Sequence, residues 1–139
     1  MSAENFLNQL HRLNNFIISN QEELEQLRSL STSISGSTTE ERIQTSSNPD
    51  KISNIIAKIV DLEREIEEQT EQLLKLQKDV RDVINQVKDN DERLFLRYRY
   101  INFYQWKQIR YEMKCSDTQL QRIKNRAIES VEKILDSKC

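Results

Sequence analysis

Apolar residues recur at alternating steps of three and four between residues 52 and 87. A 3.5-residue period places these side chains along one stripe of an α-helix, and a lone helix cannot bury its own stripe. The pattern predicts a long helix, about 55 Å at ~1.5 Å per residue, that packs on another helix. This seam has Gln69 as its one polar member, and its apolar members form the predicted oligomerisation surface: Ile52, Ile55, Ile59, Leu62, Ile66, Leu73, Leu76, Val80, Val83 and Val87.

A second seam of the same period lies within residues 3–34, with Asn20 as its polar member. It predicts a first amphipathic helix over residues 2–30. Pairing of the two seams within one chain or between two copies remains open from the sequence. Four further apolar residues widen the stripe of the later helix, which favours a bundle of three or more helices, such as a four-helix dimer: Ile56, Val60, Leu74 and Ile84.

Residues 31–48 separate the two seams and are rich in Ser and Thr. These side chains compete for backbone hydrogen bonds and favour turns, so the segment is predicted to be a linker. Asn48 followed by Pro49 predicts the start of the later helix, because proline is favoured at the first helical position. Residues 1–88 are therefore predicted to form an arm, a long antiparallel helical hairpin resembling a coiled coil.

Residues 89–139 are predicted to form a separate head made of three short helices. The pattern places these helices at about residues 91–101, 104–113 and 117–134. One Gly, one Pro and 32% charged residues suit long helices and leave little room for strands and tight turns. The predicted fold is therefore all-α, with a hairpin arm followed by a three-helix head.

Two capping signals mark where the head helices begin. Asp89 followed by Glu92, and Ser116 followed by Gln119, both have the spacing of a capping box. Only three residues, 114–116, then separate the last two helices. Helix, three-residue turn, helix is the spacing of a helix-turn-helix, whose second helix enters the major groove of DNA.

Charge is distributed unevenly along the chain, although the net charge is only −2. Residues 1–96 hold 11 Lys/Arg against 18 Asp/Glu, a net of −7, and residues 97–139 hold 10 against 5, a net of +5. A basic head on an acidic arm is typical of a nucleic-acid-binding module attached to an oligomerisation or protein-binding element. Chance segregation in a highly charged protein is the alternative.

The polar residues of the last two helices are the candidate DNA contacts. Arg reads guanine, and Gln or Asn reads adenine, through paired hydrogen bonds, whereas Lys and Arg beside the groove contact phosphates. An ordinary solvated face of a three-helix tail is the competing interpretation. The candidates for base reading are Thr118, Gln119, Gln121, Arg122, Asn125 and Arg126, and those for phosphate contact are Lys107, Arg110, Lys114 and Lys124.

The sequence offers no signature of catalysis, metal binding or a cofactor. The single histidine, His11, has no second ligand at metal-binding spacing, and no glycine-rich phosphate loop or paired-acid cleft pattern occurs. We therefore expect no enzyme, no cofactor, no metal and no small-molecule substrate. No apolar run approaches the length of a membrane span, so a cytoplasmic location is expected, with Cys115 and Cys139 reduced.

A set of short motifs in the predicted head carries a family resemblance: Glu92-Arg93-Leu94, Leu96-Arg97-Tyr98-Arg99-Tyr100, Trp106, Ile109, Met113, Ser116, Leu120-Gln121-Arg122-Ile123 and Ala127-Ile128. These residues resemble the helix-turn-helix of sigma-factor region four. Two upstream motifs extend the resemblance over most of the chain: Ser46-Ser47-Asn48-Pro49-Asp50 and Asp61-Leu62-Glu63. With the preceding hairpin, the chain is similar to the RinA- and ArpU-like late-gene activators of phages and prophages of Gram-positive bacteria. The resemblance implies a DNA-binding regulator of phage late transcription in the bacterial host cytoplasm.

Four positions depart from the pattern of that motif. Lys114 and Phe103 stand where the family commonly has glycine, and a non-glycine residue with positive φ costs ~1–2 kcal/mol. Gln105 replaces a Ser or Thr cap, and Arg110 replaces a small residue at the helix contact. These changes predict either a distorted motif or one that contacts a protein.

Three functions follow from these patterns. The first is a homodimeric DNA-binding transcription regulator, whose partners would be double-stranded DNA and the host RNA polymerase. The second is a helical protein–protein interaction module with a degenerate helix-turn-helix. The third is a DNA-packaging subunit resembling small terminase subunits. A dimer would favour the regulator and a large ring the packaging subunit.

Overall fold

The computed structural model describes residues 2–35 and 48–138, which are helical along most of their length. No strand occurs in these ranges, so the described protein is all-α, as predicted. No helix within them is long and apolar enough to cross a membrane. The described part holds five α-helices, and a π-helix, Arg97–Ile101, directly follows α3: α1 (Ala3–Ser35), α2 (Asn48–Asn85), α3 (Asn90–Leu96), α4 (Trp106–Met113) and α5 (Asp117–Ser137).

Helix α1 is longer than its sequence predicted. It ends at Ser35, so the prediction of a linker beginning at residue 31 is wrong for residues 31–35. The hydroxyl of Thr32 donates to the carbonyl oxygen of Arg28 at 3.0 Å. This bond satisfies the hydroxyl inside the helix, where it was expected to compete with helical hydrogen bonding. Residues 36–47, the rest of the predicted linker, lie outside the described residues.

Packing divides the chain into two compact units. One unit combines Met1–Asn14 with Gln72–Cys139, and the other is Asn15–Glu71. The start of α1 and the end of α2 therefore belong with the three shorter helices. The division into an arm and a head between residues 88 and 89 stays a prediction, and it does not coincide with these units.

In the Asn15–Glu71 unit, segments of α1 and α2 run antiparallel. The Asn20 Nδ2 donates to Gln69 Oε1 at 2.8 Å, and the Arg28 Nη2 lies 3.5 Å from Glu63 Oε1. Residues later in α1 therefore contact residues earlier in α2, as in an antiparallel helix pair. The ion pair is solvent-exposed and contributes roughly 0–1 kcal/mol. Apolar burial is the larger stabilising term, and the buried side chains of this unit are Ile17, Leu24, Ile55 and Leu62.

The other unit contains the largest hydrophobic core in the described residues. It joins side chains from α1, α2, α3, the π-helix and α5, so the position of α5 depends on the ends of both long helices. Fully burying one Leu or Ile side chain stabilises a fold by about 1.5–3 kcal/mol. The core consists of Ala3, Leu7, Leu10, Val80, Val83, Ile84, Val87, Leu96, Tyr100, Ala127 and Val131.

The predicted seam of α2 is covered within this single chain. Every apolar seam residue is buried or half-buried. Ile84, predicted to widen the stripe, is also buried, whereas Ile56, Val60 and Leu74 are 49%, 49% and 61% exposed. The most exposed of these apolar residues therefore lie beside the seam, and the seam as an oligomerisation surface stays a prediction.

The third predicted helix consists of two elements. Asp89 caps its start as predicted, since Asp89 Oδ1 accepts a hydrogen bond from the backbone N–H of Glu92 at 3.0 Å. The other half of the predicted capping box is not formed, because Glu92 Oε1 accepts instead from the Ser130 hydroxyl. After Leu96 the backbone widens into the π-helix, and the Asn102 N–H donates to the Arg97 carbonyl at 2.9 Å. The prediction of one α-helix over residues 91–101 is therefore wrong for its last turn.

Phe103 follows the π-helix with a positive φ of 58°, at one of the two positions where glycine was expected. Its ring packs against the hydrophobic core and lies edge-on to the His11 ring, with centroids 5.2 Å apart. These contacts offset a backbone conformation that costs ~1–2 kcal/mol. Nearby, burial raises the pKa of the Tyr100 hydroxyl, while the Arg99 charge lowers it and Glu4 raises it further.

Candidate nucleic-acid interface

Helices α4 and α5 are joined by the three residues Lys114-Cys115-Ser116. Lys114 is left-handed, with φ 52° and ψ 49°, and its N–H donates to the carbonyl oxygens of Arg110 and Tyr111. The Cys115 N–H donates to the Arg110 carbonyl at 3.2 Å. The expectation that this position calls for a glycine-like backbone is confirmed, and the turn forms although the side chain is lysine.

We predict that Lys114→Gly raises the free energy of unfolding by about 1 kcal/mol, because glycine adopts the left-handed conformation without a Cβ clash. Urea denaturation measures the change. Lys107→Gly is the matched control, since it removes the same side chain from the first turn of α4 and should lower stability by up to about 1 kcal/mol. Equal losses for both variants would show that the left-handed backbone at Lys114 is not strained.

A capping box begins α5, as predicted. The Ser116 Oγ accepts from the Gln119 N–H at 3.2 Å, and the Gln119 Oε1 accepts from the Ser116 N–H at 3.0 Å. The side-chain oxygen of Gln119 is thus engaged in holding the helix start. A paired hydrogen bond to adenine needs both the oxygen and the nitrogen of the amide, so Gln119 is poorly suited to the base-reading role that its position suggested.

Trp106 holds the two helices of the motif together. Its Nε1 donates to Asp117 Oδ1 at 2.5 Å, across the turn from α4 to α5. The Trp106 ring forms a T-shaped contact with the Phe95 ring of α3, with centroids 6.1 Å apart. The Lys124 Nζ lies 6.0 Å from the same ring centroid, at the limit of a cation–π contact. Lys124 is half-buried there, which makes it the least accessible of the predicted phosphate contacts.

Buried side chains fix the orientation of α5 below this surface. Ile109 of α4 and Leu120 of α5 are fully buried, and Ile123 is 8% exposed. The Ser130 hydroxyl donates to Glu92 Oε1, which ties the middle of α5 to the first turn of α3. The predicted apolar positions of the motif therefore form its inner face.

The outer face of α5 carries the predicted base-reading side chains. The Gln121 Nε2 donates to Asn125 Oδ1 at 3.3 Å, so these two amides form a pair one helical turn apart. Arg122 and Arg126 make no ion pair with any acid in the described ranges. All predicted contacts except Lys124 are exposed: Lys107, Arg110, Lys114, Thr118, Gln119, Gln121, Arg122, Asn125 and Arg126.

Two clefts meet at the turn. One, of ≈ 620 Å³, lies along the outer face of α4 from Lys107 to Cys115. The other, of ≈ 410 Å³, lies between the turn, the start of α3 and the Arg122 side of α5. Lys114 and Cys115 line both. Tyr111 lines the first cleft and was not among the predicted contacts, although its position four residues after Lys107 places both side chains on one helix face.

No group of three or more His, Cys, Asp or Glu side chains within residues 2–35 and 48–138 is arranged to hold a metal ion. The fold and this surface thus define an all-α protein in which a basic pair of helices, joined by a tight turn, presents amides and guanidinium groups to solvent. The chain belongs to the DUF1492 family, whose model, of a protein of unknown function, matches residues 32–132. No curated protein and no solved structure matches the chain.

Proposed function

We propose that this protein is a phage- or prophage-encoded DNA-binding regulator of transcription, and a late-gene activator in particular. The observation that carries the proposal is the outer face of α5, where exposed amide and guanidinium groups follow a well-formed turn. The resemblance to RinA- and ArpU-like activators supplies the phage context and the bacterial cytoplasm, and membership of the DUF1492 family is consistent with it.

The basic charge of the C-terminal part supplies the attraction to DNA. Residues 97–139 carry a net of +5, and each phosphate neutralised by Lys or Arg adds about 0.9 to the salt dependence of log K. Lys107, Arg110 and Lys114 are exposed cations beside the turn. They would contact phosphates and orient α5, without contributing sequence discrimination.

Base reading falls chiefly to Arg122 in this proposal. Its guanidinium is free of acidic partners in the described part of the chain and suits the two acceptors of guanine in the major groove. Gln121 and Asn125 would read adenine, at the cost of their mutual hydrogen bond. Gln119 remains a cap. Each well-placed bidentate contact contributes about 1–3 kcal/mol of discrimination between bases.

The remaining elements have assigned roles in the proposal. The arm, a hairpin of α1 and α2, would dimerise the protein through the apolar residues beside its seam, so that two copies of α5 address two half-sites. Its acidic surface would be available to the host RNA polymerase. The exposed side chains of Ile56 and Val60 favour a second copy of the chain as the partner of this apolar surface.

A degenerate interaction module is the second candidate, favoured by the non-glycine residues at the two positive-φ positions, Phe103 and Lys114. Lys114 nevertheless adopts the left-handed conformation and Ser116 caps α5, and these two features support the helix-turn-helix hypothesis. A small terminase-like packaging subunit is the third. Sedimentation of the purified protein distinguishes this candidate from the dimeric regulator, because a packaging subunit should form a ring larger than a dimer.

The test is selection of bound duplexes from a random-sequence library, followed by titration of the enriched duplex and a scrambled duplex over a salt series. We predict that Arg122→Ala weakens binding to the enriched duplex by about 5- to 150-fold, the equivalent of 1–3 kcal/mol, with a much smaller change on the scrambled one. Arg28→Ala is the control, because it removes an exposed arginine from α1. Failure to enrich any sequence, with equal weak binding lost at moderate salt, would reject the regulator.

A further inference from the structure

Tyr111 is the most exposed large hydrophobic side chain in the described part of the chain, at 80%. Of the six other head aromatics, Tyr100 is buried in the core. The remaining five contact other rings: Phe95, Tyr98, Phe103, Tyr104 and Trp106. Tyr111 has no ring contact, and within the described residues its hydroxyl makes no hydrogen bond. Isolated exposed side chains are common on protein surfaces, so the surroundings of Tyr111 decide whether its exposure has a function.

Three cations and one acid, Glu112, line the same cleft along α4 as Tyr111. Lys107 lies four residues before Tyr111, Arg110 directly before it, and Lys114 three residues after it. Together these four side chains line one side of α4 and its C-terminal end. This Tyr111 patch faces away from Ile109, which is fully buried. None of its cations forms an ion pair with an acid in the described ranges.

The chemistry of the Tyr111 patch matches a phosphodiester. Lys and Arg side chains supply charge, and a tyrosine hydroxyl is one of the neutral donors that proteins use toward phosphate oxygens. The patch is also continuous with the Arg122 side of α5, because Lys114 lines both clefts. A duplex whose major groove receives α5 presents its phosphate backbone beside the groove, next to the helix that precedes the turn.

We propose that Tyr111 is a DNA-binding residue that donates its phenolic O–H to a phosphate oxygen of the duplex backbone. The inference rests on the proposed function and adds a contact that the sequence did not suggest. The neighbouring cations attract the phosphate by charge, and the phenol adds a neutral hydrogen-bond donor at the end of a ring with few rotatable bonds. Tyr111 therefore fixes the position of α4 on the backbone and, through the turn, the depth at which α5 enters the groove.

Tyr111→Phe removes only the hydroxyl and is the decisive variant. We expect it to weaken binding about three- to tenfold, the range for one hydrogen bond, on both the enriched and the scrambled duplex. The salt dependence should stay unchanged, because tyrosine carries no charge. Lys107→Ala should instead lower the slope of log K against log salt by about 0.9. Lys133→Ala is the control, since that exposed lysine lies near the far end of α5 beside Glu129.

The outcomes separate this inference from the proposed function. If the wild-type protein binds duplex DNA and Lys107→Ala lowers the salt slope, but Tyr111→Phe binds like wild type, the Tyr111 contact is rejected and the DNA-binding function stands. If wild type binds no duplex at any salt, both proposals are rejected, and the patch would then be a protein contact. Unchanged circular dichroism and melting of Tyr111→Phe excludes misfolding as a cause of weaker binding.

Discussion

Replacing Phe95 by alanine should lower the free energy of unfolding by about 3–5 kcal/mol, the range for truncating a buried phenylalanine. Phe95 is 1% exposed, and its ring meets Trp106 edge-on at a centroid distance of 6.1 Å. The variant loses the buried area, leaves a cavity and removes an aromatic pair. Because Trp106 also bonds to Asp117, the cavity lies where α3 supports the start of α5. Urea denaturation followed by circular dichroism measures the loss.

Tyr111→Ala is the matched control for Phe95→Ala. It removes an aromatic ring of similar size from the same compact unit, but one that is 80% exposed. Its effect on stability should stay within about 0.5 kcal/mol. A Phe95→Ala variant as stable as the wild type would contradict the placement of this ring in the core.

Ile84→Ala should lower the free energy of unfolding by about 2–5 kcal/mol. Ile84 is fully buried in the core that joins the ends of the long helices to α5. Ile18→Ala is its control, because the same side chain on α1 is 44% exposed and its truncation should cost less than about 1 kcal/mol. Thermal melting at several protein concentrations measures both.

The concentration series also tests the dimer. If a second copy covers Ile56, the melting temperature rises with protein concentration, because association stabilises the folded state by mass action. Ile56→Ala would then cost more than its exposure in one chain predicts, and the concentration dependence would weaken. A melting temperature independent of concentration would reject dimerisation through this part of α2.

Features that depend on neighbouring residues were predictable. The 3.5-residue period predicted the seam of α2. Asp89 and Ser116 cap the helices whose starts the spacing of cap and third helical residue predicted. The positive φ of Lys114 followed from the resemblance, and Phe103, the other position where the family commonly has glycine, has a positive φ too. These features need only a short stretch of chain, so a single sequence contains enough information.

Features that depend on competing hydrogen bonds or on packing were missed. Thr32 satisfies its hydroxyl within α1, so its helix-breaking tendency did not decide where the helix ends. Gln119 forms the predicted cap, and the competition between this cap and the base-reading role also expected of its side chain was missed. The exposure of Tyr111 depends on which face of α4 the core covers. The π-helix after Leu96 replaces the last turn of the predicted α-helix, and its sequence, Arg97–Ile101, contains no glycine or proline that would mark the change.

The Asn20–Gln69 hydrogen bond sets the register of α1 along α2. The seam on either side is aliphatic, so sliding α1 by one heptad, about 10.5 Å at 1.5 Å per residue, would again place apolar residues opposite one another. It would also place Asn20 opposite Leu62 or Leu76 and separate it from Gln69. Each half-buried amide would then lack its partner, at about 1–3 kcal/mol for each group. A repetitive seam alone would allow several alignments of similar free energy. The Asn20–Gln69 hydrogen bond gives one of these alignments the lowest free energy.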